Sequence, residues 1–341
     1  MKWLSWSLVD PYREIGGAEI HALCVGHHLS KDFGVDFEAT NRAEALYDNT
    51  FDVIQTHGAA LPKKFLRRCL AEKFRSKRPL RVHTLHGESL ESMKRLRQWH
   101  RVGRWKSLMR ELRGCLVADV ILAVRDNIRL VWLARLFGKR VVVIENGWDS
   151  AIASPVVHET RNARPFETLL EEIDRLSPFG LFVGRDGDPL KAFHRLSRWL
   201  EMDSNLRLIA VPGNTLKPST RSLSCGPLSP RQLGPVYTRA RALLMPSAVE
   251  GMPLVLLEAL SQGTPVIVTD IPAHRALSER GLRHYTFVDH PDDPSAWKRA
   301  YSSMPELTPS QRHEAAEWNR ARLRTWGQVA SAAHAAILET L

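Results

Sequence analysis

The chain has 341 residues, 44% of them hydrophobic, and a formal net charge of +11. That length supports a sizeable core and favours about two domains of ~150 residues, in the soluble α/β class. No apolar run approaches the ~18 residues of a bilayer span, and the opening MKWLSWSLVDP is broken too soon by Asp10-Pro11 for a signal peptide, so a cytosolic chain is expected.

In chain order, Lys2–Val9 (KWLSWSLV) is predicted as the first strand, leading through DPYREIGG to a helix from about Ala18 to Ser30. The Gly16-Gly17 pair permits close backbone approach and could hold a phosphate; a plain turn is the competing reading. Phe51–Thr56 (FDVIQT) and Leu80–Leu85 (LRVHTL) follow as short strands, each ending in His-Gly, at His57-Gly58 and His86-Gly87. A single strand-end histidine is usually packed or hydrogen-bonded, but two at equivalent ends of one sheet face a common crevice.

The charge is local. Lys63–Arg113 carries 17 Lys and Arg against four acidic residues, a net +13, while the rest of the chain sums to −2. Such confinement points to an anionic partner, a membrane face or a nucleic acid. Within this region Lys94–Leu116 sets Leu96, Trp99, Val102, Trp105, Leu108, Met109 and Leu112 at helical spacing opposite several arginines. One basic amphipathic helix is expected, meeting lipid through its tryptophans or packing its stripe on the sheet.

Asp119–Val124 (DVILAV) and Arg140–Ile144 (RVVVI) complete the first half, the second ending in the turn Glu145-Asn146-Gly147-Trp148-Asp149, with a linker expected near Trp148–Pro155. The second half restarts with the strand Gly180–Val183, the loop Gly184-Arg185-Asp186-Gly187-Asp188-Pro189-Leu190-Lys191, a helix to about Leu200 and the strand Leu206–Val211. Arg185 and Lys191, six apart after a strand, could neutralise a leaving diphosphate without a metal; singly they would be surface charges. Asp186-Gly187-Asp188 has the form of a metal-binding DxD, with an Asp-Gly turn as the favoured alternative. The four cysteines, Cys24, Cys69, Cys115 and Cys225, lack pairing or metal-ligand spacing, so reduced, packed thiols are expected.

The most informative stretch is PSAVEGMPLVLLEALSQGTPVIVT, Pro246–Thr269. Ala242–Met245 and Thr264–Thr269 read as buried strands around a helix opened by Pro253 and stopped by Gly263. That helix is apolar nearly all round, so a carboxylate at Glu258 needs a partner worth its desolvation. Glu250 lies in the loop before it, where parallel sheets bind ligands and helix N–H groups favour phosphate, which suggests a sugar nucleotide.

Taken together, Gly16-Gly17-Ala18-Glu19, Thr84-Leu85-His86-Gly87, Asn146-Gly147-Trp148-Asp149, Gly184-Arg185 with Lys191, and Glu250-Gly251-Met252-Pro253 through Glu258 resemble the retaining glycosyltransferases of family GT4 over nearly the whole chain. The last of these is similar to that family's E-x7-E signature. The resemblance implies an α/β GT-B fold: two Rossmann-like, doubly wound parallel-sheet domains facing across a cleft. Residues 1–150 would form the acceptor domain and 151–325 the donor-nucleotide domain, with 326–341 a helix crossing back to the first.

It further implies transfer of a sugar from a nucleotide-diphosphate donor, UDP favoured, with retention and without metal or other cofactor. Glu258 would bind the ribose, Glu250 with the backbone of Gly251, Met252, Pro253 and Leu254 the donor sugar, and Arg185 with Lys191 the diphosphate. Gly16 and Gly17 would close over the phosphates, and His86 would support the leaving group or sugar. The acceptor would be a cell-envelope glycan or glycolipid at the inner membrane face, met through Arg95, Trp99, Arg101 and Trp105. Two alternatives stay open: the same chemistry on DNA, and a non-catalytic sugar-nucleotide-binding protein. Departures from the pattern include Met252, and Ala192 where glycine usually follows the lysine; they leave the donor sugar undetermined.

Overall fold

The structure is a computed structural model that describes residues 1–12, 16–58, 61–73, 75, 77–87, 89–96, 102–126, 128–149 and 165–341. It divides into two compact units, one of Met1–Gly147 with Arg324–Leu341, the other of Trp148–Leu323. Each is built on a six-stranded parallel sheet flanked by helices, as the GT-B resemblance implies.

In the first unit the order is β1 (Lys2–Trp6), α1 (Gly17–Phe33), β2 (Asp36–Thr40), β3 (Val53–His57), α2 (Lys63–Ala71), β4 (Leu80–Leu85), α3 (Ser89–Arg95), α4 (Val102–Val117), β5 (Val120–Ala123), α5 (Arg129–Leu136) and β6 (Arg140–Val143). The sheet runs β2-β1-β3-β4-β5-β6. Its central strands are fully buried, and this is why they read as continuous apolar runs. The single helix expected over Lys94–Leu116 is corrected to α3 and α4, separated by residues of which 97–101, including Trp99 and Arg101, lie outside the described residues. The apolar stripe that suggested one amphipathic face also divides. Leu108, Leu112 and Cys115 pack inward with Ile121, Ile128 and Val131, whereas Trp105 and Met109 point outward, 45% and 46% exposed.

The second unit follows as α6 (Phe166–Arg175), β7 (Gly180–Val183), α7 (His194–Met202), β8 (Leu208–Val211), β9 (Ser222–Ser224), α8 (Pro230–Arg239), β10 (Ala242–Met245), α9 (Leu254–Ser261), β11 (Val266–Thr269), α10 (Pro272–Ser278), β12 (Tyr285–Val288), α11 (Pro294–Ser303) and α12 (Pro309–Arg320). Its sheet order is β12-β11-β10-β7-β8-β9, so the strand order reverses between β7 and β10, the place where such sheets bind ligands. A core of Phe182, Trp199, Leu244, Ile267 and Trp297 fixes the helices on one side of it.

The last helix, α13 (Trp326–Leu338), returns to the first unit. Thr325 caps it, its Oγ1 accepting from the Gln328 N–H at 3.2 Å. It packs on α1, with the Trp326 and His21 rings 5.5 Å apart and Phe33 and His334 4.5 Å apart. Gly147 is needed where the chain passes α13: a Cβ there would lie 2.7 Å from the Trp326 nitrogen. All four cysteines are buried and, among the described residues, none forms a disulfide.

Candidate active site

In the second unit two loops meet at the carboxyl ends of β7 and β10. After β7, Gly184 turns with a φ of +151°, a region that L side chains rarely enter, and its N–H donates to the Val211 carbonyl at 2.7 Å. The loop then folds on Asp188, whose Oδ1 accepts from the Leu190 N–H at 2.9 Å. The Ala248 N–H donates to the Leu190 carbonyl at 2.8 Å and so ties this loop to the one after β10. That bond brings Lys191 beside Glu250, Nζ to Oε1 at 2.7 Å, with side chains only 24% and 9% exposed. Ser247 Oγ donates to the same Oε1 at 2.7 Å.

Glu250 is therefore a fixed carboxylate, charge-balanced by the cation that the sequence pattern places with Arg185 on a diphosphate. The two cations do not face one another's partner. Arg185 is 78% exposed and pairs with Asp188 at 3.1 Å. The DxD form is accounted for as a turn anchor, since Asp186 is buried and its Oδ2 accepts from the backbone N–H groups of Asn214, Thr215 and Leu216 at 2.9, 2.6 and 3.1 Å. These bonds hold its carboxyl below the ordinary aspartate range against the opposing effect of burial.

The position after Lys191 explains one departure in the sequence. Ala192 has a φ of +49°, the left-handed conformation that glycine adopts without cost, and its methyl is buried.

Glu250-Gly251-Met252-Pro253 runs directly into α9, with Pro253 at the N-cap, Met252 and Leu254 buried and Gly251 half-buried. One turn on, Glu258 is half-buried and has a partner that sequence reasoning missed. Tyr237 Oη, on α8, donates to Glu258 Oε2 at 2.8 Å. Burial raises the Glu258 carboxyl, the Tyr237 bond partly opposing it, and burial with the Glu258 charge raises the Tyr237 phenol well above its usual value. The second oxygen, Oε1, has no hydrogen-bond partner among the described residues. A signal for Tyr237 existed in Pro230–Arg239, where Leu233, Val236 and Tyr237 share one buried helical face.

In the first unit the strand-end histidines come together. His57 Nδ1 and His86 Nε2 are hydrogen-bonded at 2.8 Å, and His57 Nε2 is bonded to Ser5 Oγ at 2.8 Å. His21, on α1 and absent from the sequence reading, stands 4.9 Å from His86 ring to ring, while its Nδ1 donates to Asn146 Oδ1 at 2.9 Å. Burial keeps these rings neutral: His21 is lowered to about 4, and His57 and His86 well below the usual value, with the neighbouring imidazoles contributing. His86 is the half-buried member and Ser5 and His57 the buried ones. Gly17 opens α1 and Gly16 caps it, its N–H donating to Glu19 Oε2 at 3.1 Å, so an internal carboxylate already lies at this helix N-terminus. Of the membrane candidates, Arg95 ends α3 and Trp105 lies on α4, both exposed.

Residues 181–304, which contain every second-unit site residue above, match the family model described as glycosyl transferases group 1. Among curated relatives, the O-antigen chain mannosyltransferase RfbU of Salmonella typhimurium is 35% identical over 72 residues, 21% of this chain and 19% of that protein. The D-inositol 3-phosphate glycosyltransferase of Corynebacterium urealyticum is 38% identical over 78 residues, 23% of this chain and 18% of its own length. Each match thus spans about a fifth of the relative. Solved structures extend the likeness of fold to the whole chain. Sucrose-phosphate synthase from Thermosynechococcus elongatus has a TM-score of 0.72 at 17% identity, covering 99% of both chains. Anabaena Alr3699/HepE in complex with UDP-glucose has a TM-score of 0.68 at 15% identity, covering both chains in full.

Proposed function

We propose that this chain, a group 1 glycosyl transferase over residues 181–304 on a GT-B fold, transfers a sugar from a nucleotide-diphosphate donor to a hydroxyl acceptor. The observation that carries the reading is the convergence of Lys191, Glu250 and Ser247 at the β7/β10 strand ends, directly before the helix that carries Glu258. A fixed cation there meets the charge that develops on a departing diphosphate. Glu258, with Oε2 held by Tyr237, offers Oε1 to a ribose hydroxyl. UDP is favoured among bases because the HepE neighbour, alike in fold, was solved with UDP and UDP-glucose.

The reaction we infer is a front-face substitution with retention, needing no metal. The bond from the anomeric carbon to the diphosphate oxygen breaks, the acceptor oxygen bonds on the same face, and its proton passes to the leaving phosphate. Glu250, committed to Lys191 and Ser247, orients the sugar rather than attacking it. Lys191 stays paired with Glu250 and turns its remaining N–H donors to the diphosphate, with Arg185 swinging in from the surface. His86, kept neutral by its surroundings, donates or accepts a hydrogen bond without adding charge. The acceptor is a cell-envelope glycan or lipid-linked glycan at the cytoplasmic membrane face, in keeping with the O-antigen mannosyltransferase among the partial relatives.

A panel of sugar nucleotides tests this. Purified protein with membrane extract is expected to release nucleotide from one donor, and Lys191→Ala to slow that release at least ~10-fold, as for one lost charge-stabilising contact. Release by neither, or equal release by both, would overturn the reading.

A further inference from the structure

Helix α5 is apolar on two sides. Leu130, Val131 and Ala134 are buried against the sheet, while Trp132, Leu136 and Phe137 on the outer side are 65%, 65% and 77% exposed. Single exposed apolar residues are ordinary, but three large ones within six positions of one short element are not. The patch continues onto α4. Lys139 Nζ donates to the carbonyls of Leu116 and Ala118 at 2.8 and 2.7 Å, which fixes the end of α5 beside Leu116, itself 55% exposed. Trp105 and Met109 extend it along α4.

The helices α2, α4 and α5 form one layer. Val117 of α4 packs with Phe65 and Cys69 of α2, and Leu108 and Cys115 of α4 pack with Val131 and Ala134 of α5. The outer side of this layer is rich in cations, with Lys64, Arg67, Lys106, Arg110 and Arg113 all exposed. Arg78 and Arg81 do not belong to that surface: they are committed to Asp119 and Glu72 beneath it.

We infer that the outer side of the α2, α4 and α5 layer docks on an anionic lipid surface, with Trp132 and Leu136 of α5 and Phe137 at its C-cap entering the headgroup boundary. Cations interleaved with large apolar and indole side chains fit that boundary, which rewards both. A nucleic acid backbone rewards the cations alone and gives no reason for the exposed apolar patch. A second copy of the chain meeting this surface across a two-fold axis would set cations against cations. Among the described residues no helix is long and apolar enough to cross a membrane, so the contact proposed is peripheral. The inference deepens the proposed function by naming the surface on which the acceptor is met, and it is tested without turnover.

The test is flotation with phosphatidylglycerol/phosphatidylcholine vesicles, with pure phosphatidylcholine vesicles and duplex DNA in parallel, for the full chain, W132S/F137S and K64Q/R67Q. The expected result is salt-sensitive flotation of the full chain with the anionic vesicles only, weakened at least ~10-fold by either double substitution. Nucleotide release from a soluble donor by W132S/F137S should stay at the level of the unaltered chain. Flotation of W132S/F137S equal to that of the unaltered chain would overturn the assignment of α5. So would a dimer that W132S/F137S dissociates, or duplex binding with no flotation. Loss of nucleotide release with flotation intact would instead count against the catalytic reading and leave this surface standing.

Discussion

Lys191 and Glu250 illustrate what a residue pattern conveys and what it omits. Both stood out in the sequence because each follows a strand of a parallel sheet. Their 2.7 Å pairing across 59 positions depends on the Ala248-to-Leu190 backbone bond, which no local pattern encodes. Removing the cation leaves a largely buried carboxylate without its counter-charge, at a cost of about 3–5 kcal/mol if no water replaces it. Lys191→Ala is therefore expected to lower stability as well as turnover, and a Lys191→Ala/Glu250→Gln double substitution should recover stability but not turnover; chemical denaturation beside nucleotide release separates the two. At Ala192, replacement by glycine relieves a left-handed conformation worth about 1–2 kcal/mol and loses one buried methyl worth about 0.8 kcal/mol. The expected outcome is a denaturation midpoint unchanged or slightly raised, whereas Ala192→Val should lower it clearly.

At the scale of elements, the buried parallel strands were legible because each is an apolar run bounded by turn residues, and β7 and β10 match their expected limits. The short strands β9 and β12 were not. Ser222–Ser224 is polar, and Tyr285–Val288 is an edge strand with three half-buried residues, so neither carries the signal of a central strand. Helix α4 misled for the opposite reason, since an outward apolar face of Trp105 and Met109 adds to the inward one of Leu108 and Leu112. The pairing of α8 with α9 gives a sharper test. Tyr237→Phe removes the donor to Glu258 and is expected to cost about 1–3 kcal/mol in chemical denaturation and to push the carboxyl still higher. Thermal shift should show weaker donor stabilisation in that variant; equal stabilisation would detach the Tyr237–Glu258 pair from the ribose. The histidines at the ends of β3 and β4, with His21 of α1, make the first unit acid-sensitive. His21, and His83 within β4, whose Nδ1 is hydrogen-bonded to Thr56 Oγ1, are lowered from 6.5 to about 4 by burial, so the unfolded chain takes up their protons first as pH falls. Their contribution is fully present above about pH 6.5 and is lost progressively toward about pH 4, at up to ~1.4 kcal/mol per pH unit for each. A denaturation midpoint for the first unit that stays level between pH 7.5 and 5 would contradict neutral, buried rings.

The whole molecule was legible as two α/β halves because strand, loop and helix alternate twice, and because loops of like character follow the equivalent strands. What the sequence could not convey were the partners that hold the candidates in place within each unit: Tyr237 for Glu258 and Ser247 for Glu250 in the second, Ser5 and His57 for His86 in the first. Each is a buried polar group whose role follows from a long-range hydrogen bond. The central claim is that the Lys191, Glu250 and Glu258 cluster holds a nucleotide-diphosphate sugar. It is tested most directly by thermal shift of the unaltered chain, Lys191→Ala and Glu258→Ala against a panel of sugar nucleotides, because a ligand that binds the native state raises its stability. The account predicts one donor that raises the melting temperature of the unaltered chain in a concentration-dependent way, with the shift reduced in Lys191→Ala and abolished in Glu258→Ala. An equal shift in all three proteins, or none with any donor, would contradict it.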